Sequence, residues 1–177
     1  WSPDSRSMAQ RVVARLGGDD VGVNLYTLAT GSSRRLIDTA AFSGMQWAPQ
    51  ANRLLLRAGF DPIAGATPAL HLLAYDADTD VLSTISHPFA AGERLDAEQV
   101  AWAPDGLRVA YATRSTGFGG AIYLTRAIPA PQVAAATGLL GLEVFALAWS
   151  PDSSRLGVLE LDRTKPFHPG TWHLLDA

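Results

Sequence analysis

Trp1-Ser2-Pro3-Asp4, Trp47-Ala48-Pro49-Gln50, Trp102-Ala103-Pro104-Asp105 and Trp149-Ser150-Pro151-Asp152 are four copies of one phrase. They recur about every 50 residues and hold four of the five tryptophans. Self-similarity at such a period marks stacked units, each too small to bury its own hydrophobic face.

The third copy reads most cleanly. Gln99 to Trp102 is a short buried strand, and Ala103-Pro104-Asp105-Gly106 turns the chain. Proline presets φ at the second turn position, glycine suits the fourth, and Asp105 can accept from nearby backbone amides. Leu107 to Tyr111, Ala121 to Leu124 and Gln132 to Thr137 follow as second, third and outer strands. The first copy repeats the order with Val12 to Ala14, Asn24 to Leu28 and Arg34 to Ile37, Thr30-Gly31 turning between the last two. The second does so with Leu54 to Leu56, Leu70 to Tyr75 and Val81 to Ile85. The fourth has Arg155 to Leu161 and Thr171 to Leu175, and stops before an outer strand.

Each unit is therefore a four-stranded antiparallel meander with hairpin-length connections. Stacked radially, each sheet covers its neighbour, which is the construction of a β-propeller. The expected fold is all-β, a propeller segment of about four blades over residues 1–177, with repeats at approximately 1–46, 47–101, 102–148 and 149–177. The tryptophan should anchor adjacent blades, its ring N–H seeking a carbonyl. Helical periodicity fails: Pro129 and Pro131 break the Ala/Leu-rich stretch from 130 to 142.

These residues resemble the TolB-like propeller repeat, related to the propellers of the prolyl oligopeptidase family, whose phrase is Trp-Ser-Pro-Asp-Gly. Trp102 to Gly106 differs from it at one letter. Trp1, Pro3 and Asp4 match it, as do Trp149, Pro151 and Asp152, with Ser5 and Ser153 in place of glycine. The second copy keeps Trp47 and Pro49 but has Gln50-Ala51 for Asp-Gly. The resemblance covers nearly the whole chain. It implies a bacterial protein and favours a periplasmic or extracellular location, which the residues themselves leave open.

Composition narrows the function. Net charge is −3, so no broad basic field exists for nucleic acid or an anionic membrane. No cysteine is present, which removes disulfides and thiolate chemistry. No apolar run is long enough to insert as a membrane helix. At 177 residues the chain is short for a closed ring, and Trp1 is already the first letter of a repeat. It reads as part of a longer chain, its ring completed by further blades of that chain or of a partner.

No catalytic constellation emerges. Gly-x-Ser-x-Gly is absent, and Ser150 and Ser153 belong to a turn. Thr116-Gly117-Phe118-Gly119-Gly120 lacks the Lys-Ser/Thr of a phosphate loop. His71, His87, His168 and His173 form no ligand pair at short spacing. Asp76, Asp78 and Asp80 have the alternation that opens some calcium loops, but Val81 stands where glycine is required and His87 where the bidentate Glu belongs. The ordinary reading is an exposed turn, and Asp19-Asp20 among glycines reads likewise as a loop. No cofactor is expected.

Three longer loops are the candidate interaction surface: Phe60 and Asp61; Phe89 and Arg94; and Arg163, Lys165, Phe167 and His168. Recognition residues concentrate on loops held by a rigid scaffold. The expected function is a non-catalytic scaffold for protein–protein interaction within a larger assembly. Two alternatives stay open: the gating propeller of a prolyl oligopeptidase-like serine peptidase whose catalytic domain lies outside this segment, and a ligand-sensing propeller.

Overall fold

The computed structural model describes residues 1–13, 21–39, 41–60, 69–89, 92–115, 119–127, 133–140, 143–162, 165 and 170–177. The described residues form fourteen strands in four antiparallel meanders. The first sheet comprises β1 (Ser7–Val12), β2 (Gly22–Thr27) and β3 (Ser32–Asp38). The second holds β4 (Phe42–Trp47), β5 (Arg53–Phe60), β6 (Ala69–Asp76) and β7 (Val81–Thr84). The third holds β8 (Glu93–Trp102), β9 (Arg108–Ser115), β10 (Gly119–Arg126) and β11 (Val133–Leu140). The fourth comprises β12 (Glu143–Trp149), β13 (Arg155–Leu161) and β14 (Gly170–Asp176). Each of the last three sheets starts with the strand that ends in the repeat tryptophan, so the sheets begin one strand upstream of the phrase.

The turn after that tryptophan has the chemistry its letters dictate. In three copies the amide of the fifth residue bonds back to the carbonyl of the second: Ser5 to Ser2, Gly106 to Ala103 and Ser153 to Ser150, each at 2.9 Å. The fifth residue then has positive φ, 60° at Ser5, 68° at Gly106 and 61° at Ser153. The aspartate before it closes the loop, Asp105 Oδ1 accepting from the Leu107 amide at 2.8 Å. In the second copy, where Gln50-Ala51 replaces Asp-Gly, a tighter bond runs from the Arg53 amide to the Ala51 carbonyl at 2.7 Å.

Between sheets lie three apolar clusters. Val23, Leu25 and Ile37 of the first sheet meet Leu54, Leu56, Leu73 and Tyr75 of the second. Leu55, Leu72 and Ala74 on the other face meet Trp102, Val109 and Tyr111 of the third. Ala110, Ala112 and Ile122 meet Val144, Leu156 and Val158 of the fourth. Period-two alternation makes this possible, since successive residues of β5 and β9 serve opposite neighbours.

Two polar latches recur beside these clusters. The Trp102 indole N–H donates to the Gln46 carbonyl at 3.2 Å, and that of Trp149 to the Ala101 carbonyl at 3.1 Å. Each acceptor immediately precedes the tryptophan of the previous sheet. The sixth residue after the tryptophan is arginine in three copies: Arg53, Arg108 and Arg155. Arg53 donates to the Gly106 carbonyl at 3.3 Å, and Arg108 to the Ser153 carbonyl at 2.6 Å, each reaching the left-handed residue of the next turn. Arg108 also lies over the Trp149 ring, 5.3 Å from its centroid. These contacts hold successive sheets in the same orientation, with the Pro-Asp turns at one end.

Candidate interaction surface

Strand direction sorts the sequence candidates by end. Trp47, Arg53, Asp76 and Val81 share the turn end of the second sheet. Phe60 and Ala69 pair at the opposite end, as do Glu93 and Ser115 of the third sheet, and Leu161 and Gly170 of the fourth. The loops nominated from sequence therefore spring from one end, away from the Pro-Asp turns. Asp61, Arg163, Phe167 and His168 lie outside the described residues, as do Asp19 and Asp20, and Phe60 is placed by its backbone alone. Arg94 is exposed, opposite Arg114 in the β8–β9 ladder. Lys165 is exposed and pairs with Asp162 at 3.0 Å. Phe89 packs against the second cluster, stacked on His71 with ring centroids 5.3 Å apart.

At the root of this end stands a network no local motif announces. His87 Nδ1 lies 2.9 Å from the Tyr111 hydroxyl, and Nε2 lies 3.2 Å from both Glu93 oxygens. The Tyr123 hydroxyl donates to Glu93 at 3.2 Å, and its ring stacks on His87 at 3.9 Å. Burial pushes the Tyr111 hydroxyl far above the usual tyrosine range, and burial beside Glu93 raises Tyr123. Every polar head is answered by another, so this cluster fastens β7 to the third sheet. A second tie joins the third and fourth sheets: Arg114 bridges Asp96 at 2.6 Å and Glu143 at 3.0 Å.

The aspartate triplet is divided among three tasks. Asp76 is buried; its Oδ1 accepts from the Asp78 amide at 3.0 Å and the Thr79 amide at 3.2 Å, and its Oδ2 from Arg53 at 3.0 Å. Burial alone would raise its carboxyl, but Arg53 and the two amides outweigh that and hold it below its usual value. Asp78 accepts from Asn52 at 3.0 Å. Asp80, at φ 59°, accepts from Arg34 of the first sheet and from Tyr75 at 3.0 Å. The described residues hold no group of three ligand side chains placed for a metal. A cleft of about 410 Å³ between the first two sheets is lined by Asp4, Arg6, Arg34, Tyr75 and Asp80, much of its charge already paired.

The outer face of the fourth sheet is different. Trp172 is 61% exposed, Leu174 64% and Phe145 on β12 55%. Trp172 pairs with Leu159 and Leu174 with Gly157, so both project from the face opposite Leu156 and Val158. The indole of Trp172 lies across Gly157, where an added Cβ would stand 3.5 Å from its ring. Among described residues this is an apolar sheet face left open to solvent.

No protein-family model and no curated protein sequence matches the chain. Solved structures do. A TolB-type protein of Agrobacterium tumefaciens superposes with a TM-score of 0.59 at 18% identity, over 99% of this chain and 59% of its own. The fold is a TolB-like β-propeller. The tricorn protease matches at a TM-score of 0.65 and 14% identity, over 97% of this chain and 17% of that one. The acylaminoacyl peptidase of Pyrococcus horikoshii matches at 0.57 and 13%, over 98% and 29%. The chain thus spans less than two thirds of each of these neighbours. Its four meanders are propeller blades, two with four described strands and two with three.

Proposed function

We propose that this propeller segment is a non-catalytic scaffold that works by protein–protein association within a larger assembly. The open apolar face of the fourth blade carries the reading. Soluble proteins seldom leave contiguous apolar surface uncovered, and full burial of a side chain such as Leu174 is worth about 1.5–3 kcal/mol. The His87, Glu93, Asp96 and Asp76 groups, which would be the natural candidates for chemistry, are each engaged in holding strands or turns. The test is sedimentation of the 177-residue chain across a concentration series, beside a Trp172→Ser/Leu174→Asp variant. Expected is association in the parent chain, lost in the variant with no fall in melting temperature. A parent chain that sediments as a monomer throughout, with the variant identical, overturns the reading.

A second reading has its own support. Two of the solved neighbours are a protease and a peptidase, so the segment also fits the gating propeller of a serine peptidase. Sequencing the native polypeptide decides between them: a Gly-x-Ser-x-Gly elbow followed by Asp and His beyond the propeller establishes the peptidase.

A further inference from the structure

We infer that Glu160 and His173 are the protein ligands of a divalent transition-metal site, of the zinc type, at the seam between the third and fourth blades. It lies on the face of the fourth blade opposite Trp172 and Leu174, so it goes beyond the association reading and does not depend on it.

Unanswered polar atoms single the place out. Among the described residues three buried side-chain nitrogen or oxygen atoms lack a hydrogen-bond partner: both carboxylate oxygens of Glu160 and Nε2 of His173. All three stand together, Nε2 lying 3.0 Å from Oε2. Glu160 is 1% exposed, on the face where Leu156 and Val158 meet the third blade. A buried carboxylate without hydrogen bonds is among the costliest groups a fold can carry. Protonation removes its charge but creates an O–H that needs an acceptor in the same place.

The repeat itself does not call for an acid there. Glu160 is the fifth residue after Arg155, and its counterparts after Arg53 and Arg108 are Ala58 and Thr113, 0% and 2% exposed. His173 stands opposite Val158 as Leu73 stands opposite Leu56 and Tyr123 opposite Tyr111. The second and third blades thus fill both places with neither carboxylate nor imidazole, and a blade closes without them.

The local geometry suits a shared cation better than a direct bond. Nitrogen and oxygen are 3.0 Å apart, yet their alignment makes no hydrogen bond. Two donor atoms side by side, neither aimed at the other, offer their lone pairs to a third body. Zinc bonds of about 2.0–2.2 Å place neighbouring ligand atoms about 3–3.5 Å apart, which is the spacing found here. A trapped water would bond the same atoms but leave the carboxylate's charge in place, whereas a divalent cation answers both. Among the described residues only His173 forms an ion pair with Glu160. Arg114, reaching across from the third blade, is engaged by Asp96 and Glu143. Imidazole with carboxylate is a donor set for zinc and its neighbours, while calcium and magnesium take oxygen alone. Two side chains fall short of a full set, so water completes it, entering where the His173 side chain is 40% exposed.

The experiment titrates zinc chloride into the chelator-stripped 177-residue chain, read by calorimetry, melting temperature and nitrogen NMR of the histidine rings. Expected is one zinc per chain, a melting temperature that rises with zinc concentration, and a shift of the His173 Nε2 resonance while those of His71 and His87 stay in place. Glu160→Gln and His173→Gln should each weaken binding at least about tenfold, since even an outer partner of a metal ligand is worth that much. Should one substitution unfold the chain, the other and the ring signal of the parent chain still decide. No heat of binding and an unmoved His173 ring overturn the inference, and a shared proton or a trapped water then answers Glu160. Zinc held equally well by both variants is bound elsewhere and overturns it too. So does calcium bound as tightly as zinc, which would leave the imidazole no part in the site.

Discussion

The fifth letter of the repeat phrase shows how one residue's backbone freedom sets a turn. Ser5 holds φ 60° with its side chain exposed, while Gly106 takes φ 68° without a Cβ to clash. A non-glycine residue in that region costs about 1–2 kcal/mol, offset in part by the greater chain entropy that glycine loses on folding. Ser5→Gly is therefore expected to stabilise the chain by up to about 1 kcal/mol in urea denaturation. Gly106→Ala is expected to cost about 1–2 kcal/mol, since its Cβ would also stand 3.0 Å from that of Ala51. The fourth letter brings pH dependence. The Ser150 hydroxyl, then the Ser154 amide and hydroxyl, hold the Asp152 carboxyl at about 2, well below the usual carboxylate range. A carboxyl depressed in the fold lends its stability above its unfolded value and loses it as pH falls through the folded one. Asp152→Ala should thus lower the melting temperature at pH 6, and the gap to the parent chain should close as pH falls from about 4 toward 2. A gap that persists unchanged at pH 2 would mean that the carboxylate's charge contributes nothing.

At the scale of the strand and its turn, the arginine six residues after the tryptophan ties one blade to the next. Arg108 bonds Asp105 at 3.0 Å and the Ser153 carbonyl at 2.6 Å, and covers the Trp149 ring. Hydrogen bonds to charged groups contribute about 1.5–3 kcal/mol, against about 1 kcal/mol for a neutral pair. Arg108→Ala should cost about 2–3 kcal/mol, and Trp149→Phe, which keeps the ring but forfeits the bond to Ala101, about 1–2 kcal/mol. A double-mutant cycle showing no coupling between the two would separate the latches. The strands and Pro-Asp turns were legible in the sequence because their causes are local: alternation, proline, aspartate and glycine within a few residues. The arginine was equally regular, at Arg53, Arg108 and Arg155, but a conserved offset gains meaning only when the next turn lies beneath it. The His87 network was illegible for a stronger reason. Tyr111 is 24 residues from His87, and Tyr123 is 30 from Glu93, so it takes the packing of the segment after β7 on the third sheet, together with that sheet's own meander, to bring them together. Phe89 shows the same limit: the sequence placed it on a loop tip, and packing turned its ring onto His71. The exposure of Trp172 is likewise invisible in Thr171 to Leu175, which reads as an ordinary strand. Whether such a face is buried is decided by a neighbouring sheet.

For the whole molecule, three separate interblade clusters imply stability that accrues between nearest neighbours, as in a linear repeat array. Among the described residues, blades two and three are covered on both faces, and blades one and four on one. Local opening free energies should follow that order. In hydrogen exchange of the parent chain, amides of β5, β6 and β9, around Leu55, Leu72 and Ala110, are expected to be the slowest. Those of β14 around Trp172 and Leu174 should exchange well ahead of them, with β3 close behind, because Ser32, Ser33 and Arg34 are exposed. A two-state, all-or-none molecule would instead give one protection plateau across all four sheets. The position of β14 in this series is the informative one. Fast exchange there at low concentration, slowing as concentration rises, ties the open face directly to association. Slow exchange at every concentration would mean that β14 is held by the blade itself and needs no cover, and the fourth sheet would then be the stable terminus of the array.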